Sequence, residues 1–273
     1  MFKNRKIWLS GPYIFWIIAF TVLPIFMILY YALTGENGEF TMENLAAITD
    51  PIHVKALLLS MKMSILCTAA CLLLSYPLAM ILKGLKLKRQ ASVVFIFVLP
   101  MWMNFMLRIL AWQMLLSNNG IINAVLGFFG IPAQHMLNTE AAVIFGMVYD
   151  FLPFMILPLY NSIVKIHNEV IDAAKDLGAG SVTIFFRIIL PLTIPGIVSG
   201  FIMVFIPALT TFVISKLLGG SKVLLIGNVI EEEFTQASNW HLGSGLSIVL
   251  MLFIIVNMVL SAIFDKDGEG SFL

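Results

Sequence analysis

Six stretches of the chain are apolar over lengths that reach the ~20 residues a bilayer core demands of a helix. They run from Trp8 to Leu33, Ala56 to Leu82, Ala91 to Leu116, Thr139 to Val164, Leu192 to Ser215 and Leu246 to Phe264. Two of the polar connections between them carry patterns of their own. In the connection between the fourth and fifth spans, residues 165–191, Asn168 is placed to cap a short helix. Glu169 and Asp172 then sit in its first turn, where the macrodipole favours negative charge, and Gly178 and Gly180 let the backbone reverse. A second helix is expected from Ser181, with Val182, Phe185, Phe186 and Ile189 at helical spacing and Pro191 closing it. The connection from Lys216 to Gly245 holds an apolar helix over Val223 to Gln236 that ends in Glu231-Glu232-Glu233, a segment expected to dip into the outer membrane face.

Composition turns these spans into a fold class. Of the 273 residues, 60% are hydrophobic and 11% charged, against roughly 25% charged in soluble domains. The pattern is that of an all-α polytopic membrane protein. A net charge of +1 offers no footprint for nucleic acid. Lys and Arg concentrate before the first span (Lys3, Arg5, Lys6), after the second (Lys83, Lys86, Lys88, Arg89) and around the polar hairpin (Lys165, Lys175, Arg187). Only Lys55, Lys216 and Lys222 fall in the opposite connections, so both termini and the hairpin are expected on the cytoplasmic side. The basic start followed by an apolar run reads as an uncleaved anchor, since a small-residue cleavage site is lacking.

Catalytic and metal chemistry find no support. Gly219-Gly220-Ser221-Lys222 lacks phosphate-loop spacing, the four histidines scatter over loops, and Cys67 and Cys71 stand one helical turn apart, a poor disulfide geometry and an incomplete metal site. The expectation is no catalytic residue, no metal and no cofactor on this chain. Asp150 is the clearest intramembrane charge, about 16 Å into the fourth span by helical rise. With Tyr149 and Phe154 nearby it offers a carboxylate among rings, chemistry suited to an organic ammonium ion on a substrate path. The other reading is an interhelical partner. Arg108 and Lys62 are expected to snorkel toward the interfaces, and Trp102 and Trp112 to serve as packing or interface anchors. Glu231, Glu232 and Glu233 either attract a cationic solute or a basic protein patch at an outer entrance, or form a solvated polar end.

The segment Asp172-Ala173-Ala174, three residues, Gly178, nine residues, then Ile188-x-Leu190-Pro191 carries the strongest resemblance. It is similar in spacing to the cytoplasmic E-A-A loop of importer permeases in ATP-binding-cassette (ABC) systems, with Asp172 in place of the usual Glu. The resemblance implies a type I, MetI-like permease fold with six transmembrane helices and N-in/C-in topology. It also implies one permease domain over 1–273, in which a peripheral helix (8–33) precedes core helices (56–264) that include the coupling hairpin 165–191. In such proteins the loop is a coupling helix seated in a separate ATPase subunit, a role that passes to Asp172, Ala173, Ala174, Gly178, Ile188, Leu190 and Pro191. Further runs, Leu107–Trp112 with Gly120–Asn123, Phe151–Phe154 with Leu157–Tyr160, and Leu217–Gly220 with Leu225–Asn228, resemble the permeases for spermidine and putrescine. The implied partners are a second homologous permease, two ATPase subunits that use ATP and Mg, an extracytoplasmic polyamine-binding protein and the lipid of a bacterial inner membrane. Pro195-Gly196 and Pro207 are candidate bending points. Alternatives are the same machinery for iron, a sulfate-like anion or thiamine, or an ion-coupled secondary transporter, which would show an internal repeat.

Overall fold

The computed structural model describes residues 11–85, 97 and 99–264. Among them five helices are long and apolar enough to cross a bilayer: α1 (Gly11–Ala32), α2 (Pro51–Gly84), the stretch Phe105–Phe128, α5 (Glu140–Val164) and the apolar part of the last helix. The stretch Phe105–Phe128 comprises α3 (Phe105–Leu116) and α4 (Ile121–Phe128). The hairpin helices are α6 (Asn168–Asp176) and α7 (Ser181–Leu192), and α7 runs into α8 (Ile194–Thr210) through a 64° bend. Read as one span, α7 and α8 supply a sixth. The chain ends in α9 (Ile226–Thr235) and α10 (Trp240–Phe264).

The expected third span, Ala91 to Leu116, is corrected in its described part. Residues 91–96 and 98 lie outside the described residues, and α3 begins at Phe105, where the Asn104 side chain accepts from Met106 N–H (2.9 Å) and Leu107 N–H (3.2 Å). An N-cap of this kind satisfies donors that a continuous helix would have bonded to upstream carbonyls. The fifth span is corrected as well. Its helix stops at Thr210, and Ser215 belongs to a separate turn. The bend that precedes it falls at Thr193, because Pro195 has no N–H to offer the carbonyl of Pro191.

Contacts divide the described residues into two units, one formed by those before Ala56 together with Val229–Ile255, the other containing Ala56–Asn228. In the first, α1 buries only Ala32. Asn44 Nδ2 donates to the carbonyls of Ala32 (3.3 Å) and Thr34 (3.0 Å), tying off the end of that helix.

In the second unit α2 inverts the soluble pattern. Leu58, Ile65, Leu66, Leu73, Leu74 and Ile81 are exposed, whereas Ser60, Ser64, Thr68 and Ser75 are buried. Lipid accepts large apolar side chains, while small ones let neighbouring helices approach. Two hydroxyls on the buried stripe are carried by the helix itself, Ser64 Oγ donating to Ser60 O and Thr68 Oγ1 to Ser64 O, both at 2.7 Å. Met63, Cys67, Ile109, Val143, Met147, Met155, Ala208 and Leu218 form the main core around it. The two thiols are free and buried there, as expected from their helical spacing. Close approach of α8 to α5 depends on Gly196 and Gly200: a Cβ would strike Ser162 and the Pro158 carbonyl at the first, and the Met155 sulfur at the second.

Between α8 and α9 the backbone passes through a π-helical turn (Ser215–Gly219) and a 3-10 turn (Gly220–Lys222), and side chains complete its hydrogen bonds. Gln113 Nε2 donates to Leu217 O (2.8 Å), Ser60 Oγ accepts from Ile226 N–H (2.8 Å), and Asn228 joins three partners. Its Oδ1 accepts from Ser215 Oγ (2.6 Å) and Leu225 N–H (3.2 Å) while its Nδ2 donates to Phe212 O (3.0 Å). Irregular backbone at membrane depth persists only where it is satisfied in this way.

Candidate functional site: a docking hairpin and an intramembrane ion pair

The α6–α7 hairpin is shaped by its glycine. Gly178 has φ +83°, its N–H donates to Lys175 O (2.8 Å), and Ala179 N–H donates to Ala174 O (3.0 Å). This pair of bonds is a Schellman closure, which needs a left-handed residue at the turn. Nothing lies within 4 Å of where a Gly178 Cβ would be, so backbone conformation and not crowding selects glycine. The cap at the other end differs from expectation. His167 occupies the N-cap, Asn168 is the first helical residue, and no side chain closes that end.

The two halves of the motif have opposite tasks. Asp172, Ala173, Leu177 and Gly178 are exposed, with Leu177 at 88%, and Val182 (71%) and Phe186 (60%) are exposed on α7. Asp172 pairs with Lys175 on that surface at 2.9 Å. Ala174 turns inward, where it packs with Ile166, Ile184 and Ile189 in a small core that Ile188 adjoins. Leu190 packs instead against Tyr76, Ala79, Leu159 and Ile163, while Pro191 is exposed.

Side chains of α2 grip the hairpin at both ends. Lys83 Nζ donates to Ile166 O (2.7 Å) before α6 begins. Tyr76 shares a 2.7 Å hydrogen bond with Thr193 Oγ1 at the bend and meets the Phe185 ring edge-on at 5.2 Å. Neither contact was visible in sequence, since 83 and 117 residues separate the bonded partners.

The second feature lies between α3 and α5. Arg108 and Asp150 form an ion pair at 2.5 Å, with residue exposures of 8% and 3%. Arg108 also donates to Pro100 O (2.6 Å) and lies over the Tyr149 ring at 5.6 Å. Trp112 meets Tyr149 and Phe145 edge-on at 5.2 and 4.6 Å. The expected snorkelling of Arg108 is therefore corrected: a carboxylate within reach competes better for the guanidinium than a distant interface. Lys62 remains exposed and pairs with Glu140 at 2.6 Å. Trp112 packs as expected of an anchor, and Trp102 is 76% exposed. Phe154 is half-buried beside the main core. Glu231 and Glu233 are half-buried and Glu232 exposed along α9. Among the described residues no three His, Cys, Asp or Glu side chains stand together as a metal site.

Comparison with known proteins places the whole arrangement. Residues 2–267 match the family model described as binding-protein-dependent transport system inner membrane component. The spermidine/putrescine transport system permease protein PotB of Haemophilus influenzae is 42% identical, over 93% of this chain and 93% of that protein. The protein of the same name from Escherichia coli is 39% identical, over 93% of this chain and 97% of its own length. Among solved structures, a bacterial ABC transporter involved in the import of the acidic polysaccharide alginate superposes with a TM-score of 0.77 at 17% identity, covering 97% of this chain and 98% of that one. Family model, relatives and fold agree, and the chain belongs to the family of binding-protein-dependent transport system inner membrane components.

Proposed function

We propose that this chain is the membrane-spanning permease subunit of an ATP-driven importer for polyamines of the spermidine and putrescine class. The observation that carries the reading is the exposed, Schellman-closed hairpin, which presents exposed apolar side chains with Asp172 and Ala173 while its other half is anchored in the bundle. The PotB relatives support the solute class. In this reading α7 and α8 form one bent span, six spans cross the bilayer, and both termini and the hairpin face the cytoplasm, in agreement with the Lys and Arg placement.

The chain is non-catalytic in this scheme. Two ATPase subunits hold ATP and Mg, a second related permease completes the pathway, and an extracytoplasmic polyamine-binding protein delivers solute. A solved neighbour of the same fold was captured with a periplasmic protein, which supports a docking partner of that kind. Asp172, Ala173 and Gly178 contact or shape the ATPase-facing surface, and Ala174, Ile188, Leu190 and Pro191 set its position on the bundle. Closure of the ATPase pair moves the hairpin, and the Lys83 and Tyr76 contacts hand that motion to α2 while the Thr193 bend hands it to α8. For Asp150 the Arg108 pairing favours the interhelical reading over direct cation contact. Tyr149 and Phe154 remain candidates for the aromatic wall of the route, and Glu231, Glu232 and Glu233 for its acidic entrance.

The test is ATP hydrolysis by the lipid-reconstituted complex with its ATPase and binding protein, offered spermidine, putrescine, sulfate or ferric ion. Stimulation by a polyamine supports the reading. Stimulation by sulfate or iron alone would keep the machine and reject the solute, and failure to assemble with any ATPase would reject both.

A further inference from the structure

The first unit contains a cavity of about 540 Å³ that neither the hairpin nor the ion pair uses. It is lined by Met27, Tyr31, Glu36, Trp240 and His241 together with the turn 237–239. Its size falls within the roughly 300–1,000 Å³ of small-molecule sites. No Lys or Arg is among the lining residues, and among the described residues Glu36 makes no ion pair.

The rings are held in place by the fold. Tyr31 lies 6.3 Å from Trp240 and meets His241 edge-on at 5.3 Å, while Phe234 braces Trp240 from another side at 5.5 Å. Trp240 is nevertheless 54% exposed, so part of its π surface remains open. His241 Nδ1 lies within hydrogen-bonding distance of the Tyr31 and Thr34 carbonyls. Carbonyl oxygens only accept, so Nδ1 carries the proton, and in the neutral ring Nε2 is an acceptor. The cavity thus combines a carboxylate, a nitrogen acceptor, two electron-rich ring systems and a thioether. Each of these attracts an alkylammonium or its methylene chain.

We propose that this cavity is a binding site for a free linear polyammonium ligand, with Glu36 contacting an ammonium group and Trp240 and Tyr31 packing along the chain. The proposal rests on the polyamine reading above for the ligand, and on its topology for placing the loops that line the cavity on the extracytoplasmic side. A site there would hold solute at the permease independently of the binding protein.

The test is equilibrium dialysis of radiolabelled spermidine against the full permease–ATPase complex in nanodiscs, without binding protein, alongside polyamine transport by the same preparation with binding protein present. The expected result is saturable binding, weakened about threefold by Glu36→Gln or Trp240→Ala and about tenfold by both, in keeping with exposed ion-pair and cation–π contacts. Trp240→Phe, which keeps a ring, should fall between, and putrescine should compete where 1,4-butanediol does not. Unchanged binding in the double variant overturns the proposal. So does a lack of binding in wild type that still transports, or a double variant that loses only its association with the binding protein. Wild type that binds in the expected manner yet transports no polyamine would uphold the site and reject the importer reading.

Discussion

Replacing Gly178 separates a backbone requirement from a surface requirement. The residue sits at φ +83° and closes the α6 helix through the bonds from its own N–H and from Ala179 N–H. An L-residue forced into left-handed geometry costs roughly 1–2 kcal/mol, Asn less than others because its short polar side chain hydrogen-bonds locally. Since a Cβ at this position meets nothing within 4 Å, the chain adds no clash of its own. A penalty of about 1 kcal/mol for Ala lowers the closed-to-open ratio of the hairpin about fivefold, and the larger penalty for β-branched Val up to about thirtyfold. Substrate-stimulated ATP hydrolysis by the reconstituted complex, normalised to the amount of ATPase subunit that co-purifies, should therefore rank Gly, Asn, Ala, Val in descending order. If the side chain acted only by holding the ATPase surface away, the ranking would follow size and Ala would be milder than Asn. Asn falling below Ala refutes the backbone argument.

Other substitutions probe the membrane-embedded part. Asp150→Asn or Arg108→Leu alone leaves a buried charge unpaired and should lower stability by about 3–5 kcal/mol, whereas Arg108→Met with Asp150→Leu should recover most of it; thermal unfolding in nanodiscs reads both, and singles that match wild type would contradict the pairing. Gly196→Val pushes a side chain against the Pro158 carbonyl and should cost about 1–3 kcal/mol or more by overpacking, while Gly127→Ala, where nothing lies within 4 Å, should be tolerated. Equal melting temperatures for the two variants would argue against the α5–α8 contact. Asn228→Ala removes one partner each from Ser215 Oγ, Leu225 N–H and Phe212 O. Ser215 Oγ still donates to Phe212 O, which also keeps the Lys216 N–H, so Leu225 N–H is the group left unsatisfied and the cost should be about 1–3 kcal/mol. Protease resistance between α8 and α9 should fall with it, and an unchanged digestion pattern would count against the network.

The local features of this protein were legible in its sequence because their causes are local. A long apolar run has to be a helix in lipid whatever surrounds it, so four spans and the bent candidate stand near where hydrophobicity puts them, while the third runs over Phe105–Phe128 instead of 91–116. The spacing from Asp172 to Pro191 likewise foretold the helix–turn–helix, since a glycine that ends a helix acts through bonds made within a few residues. Boundaries are less legible. Asn104 lies inside an apolar stretch that hides its capping role, although an Asn ahead of a helical pattern is itself a start signal. Only the tertiary structure decided which groups meet. Arg108 and Asp150 are remote in sequence, and whether the arginine turns to the interface or to a carboxylate depends on which helix lies beside it. The same holds for the inward face of Ala174, for the grip of Lys83 and Tyr76 on the hairpin, and for the side chains that complete the backbone between Thr211 and Leu225. Hydrophobicity selects the elements one at a time, but charge pairing and hydrogen bonding at membrane depth act over a few ångströms and exist only after packing has brought their partners together.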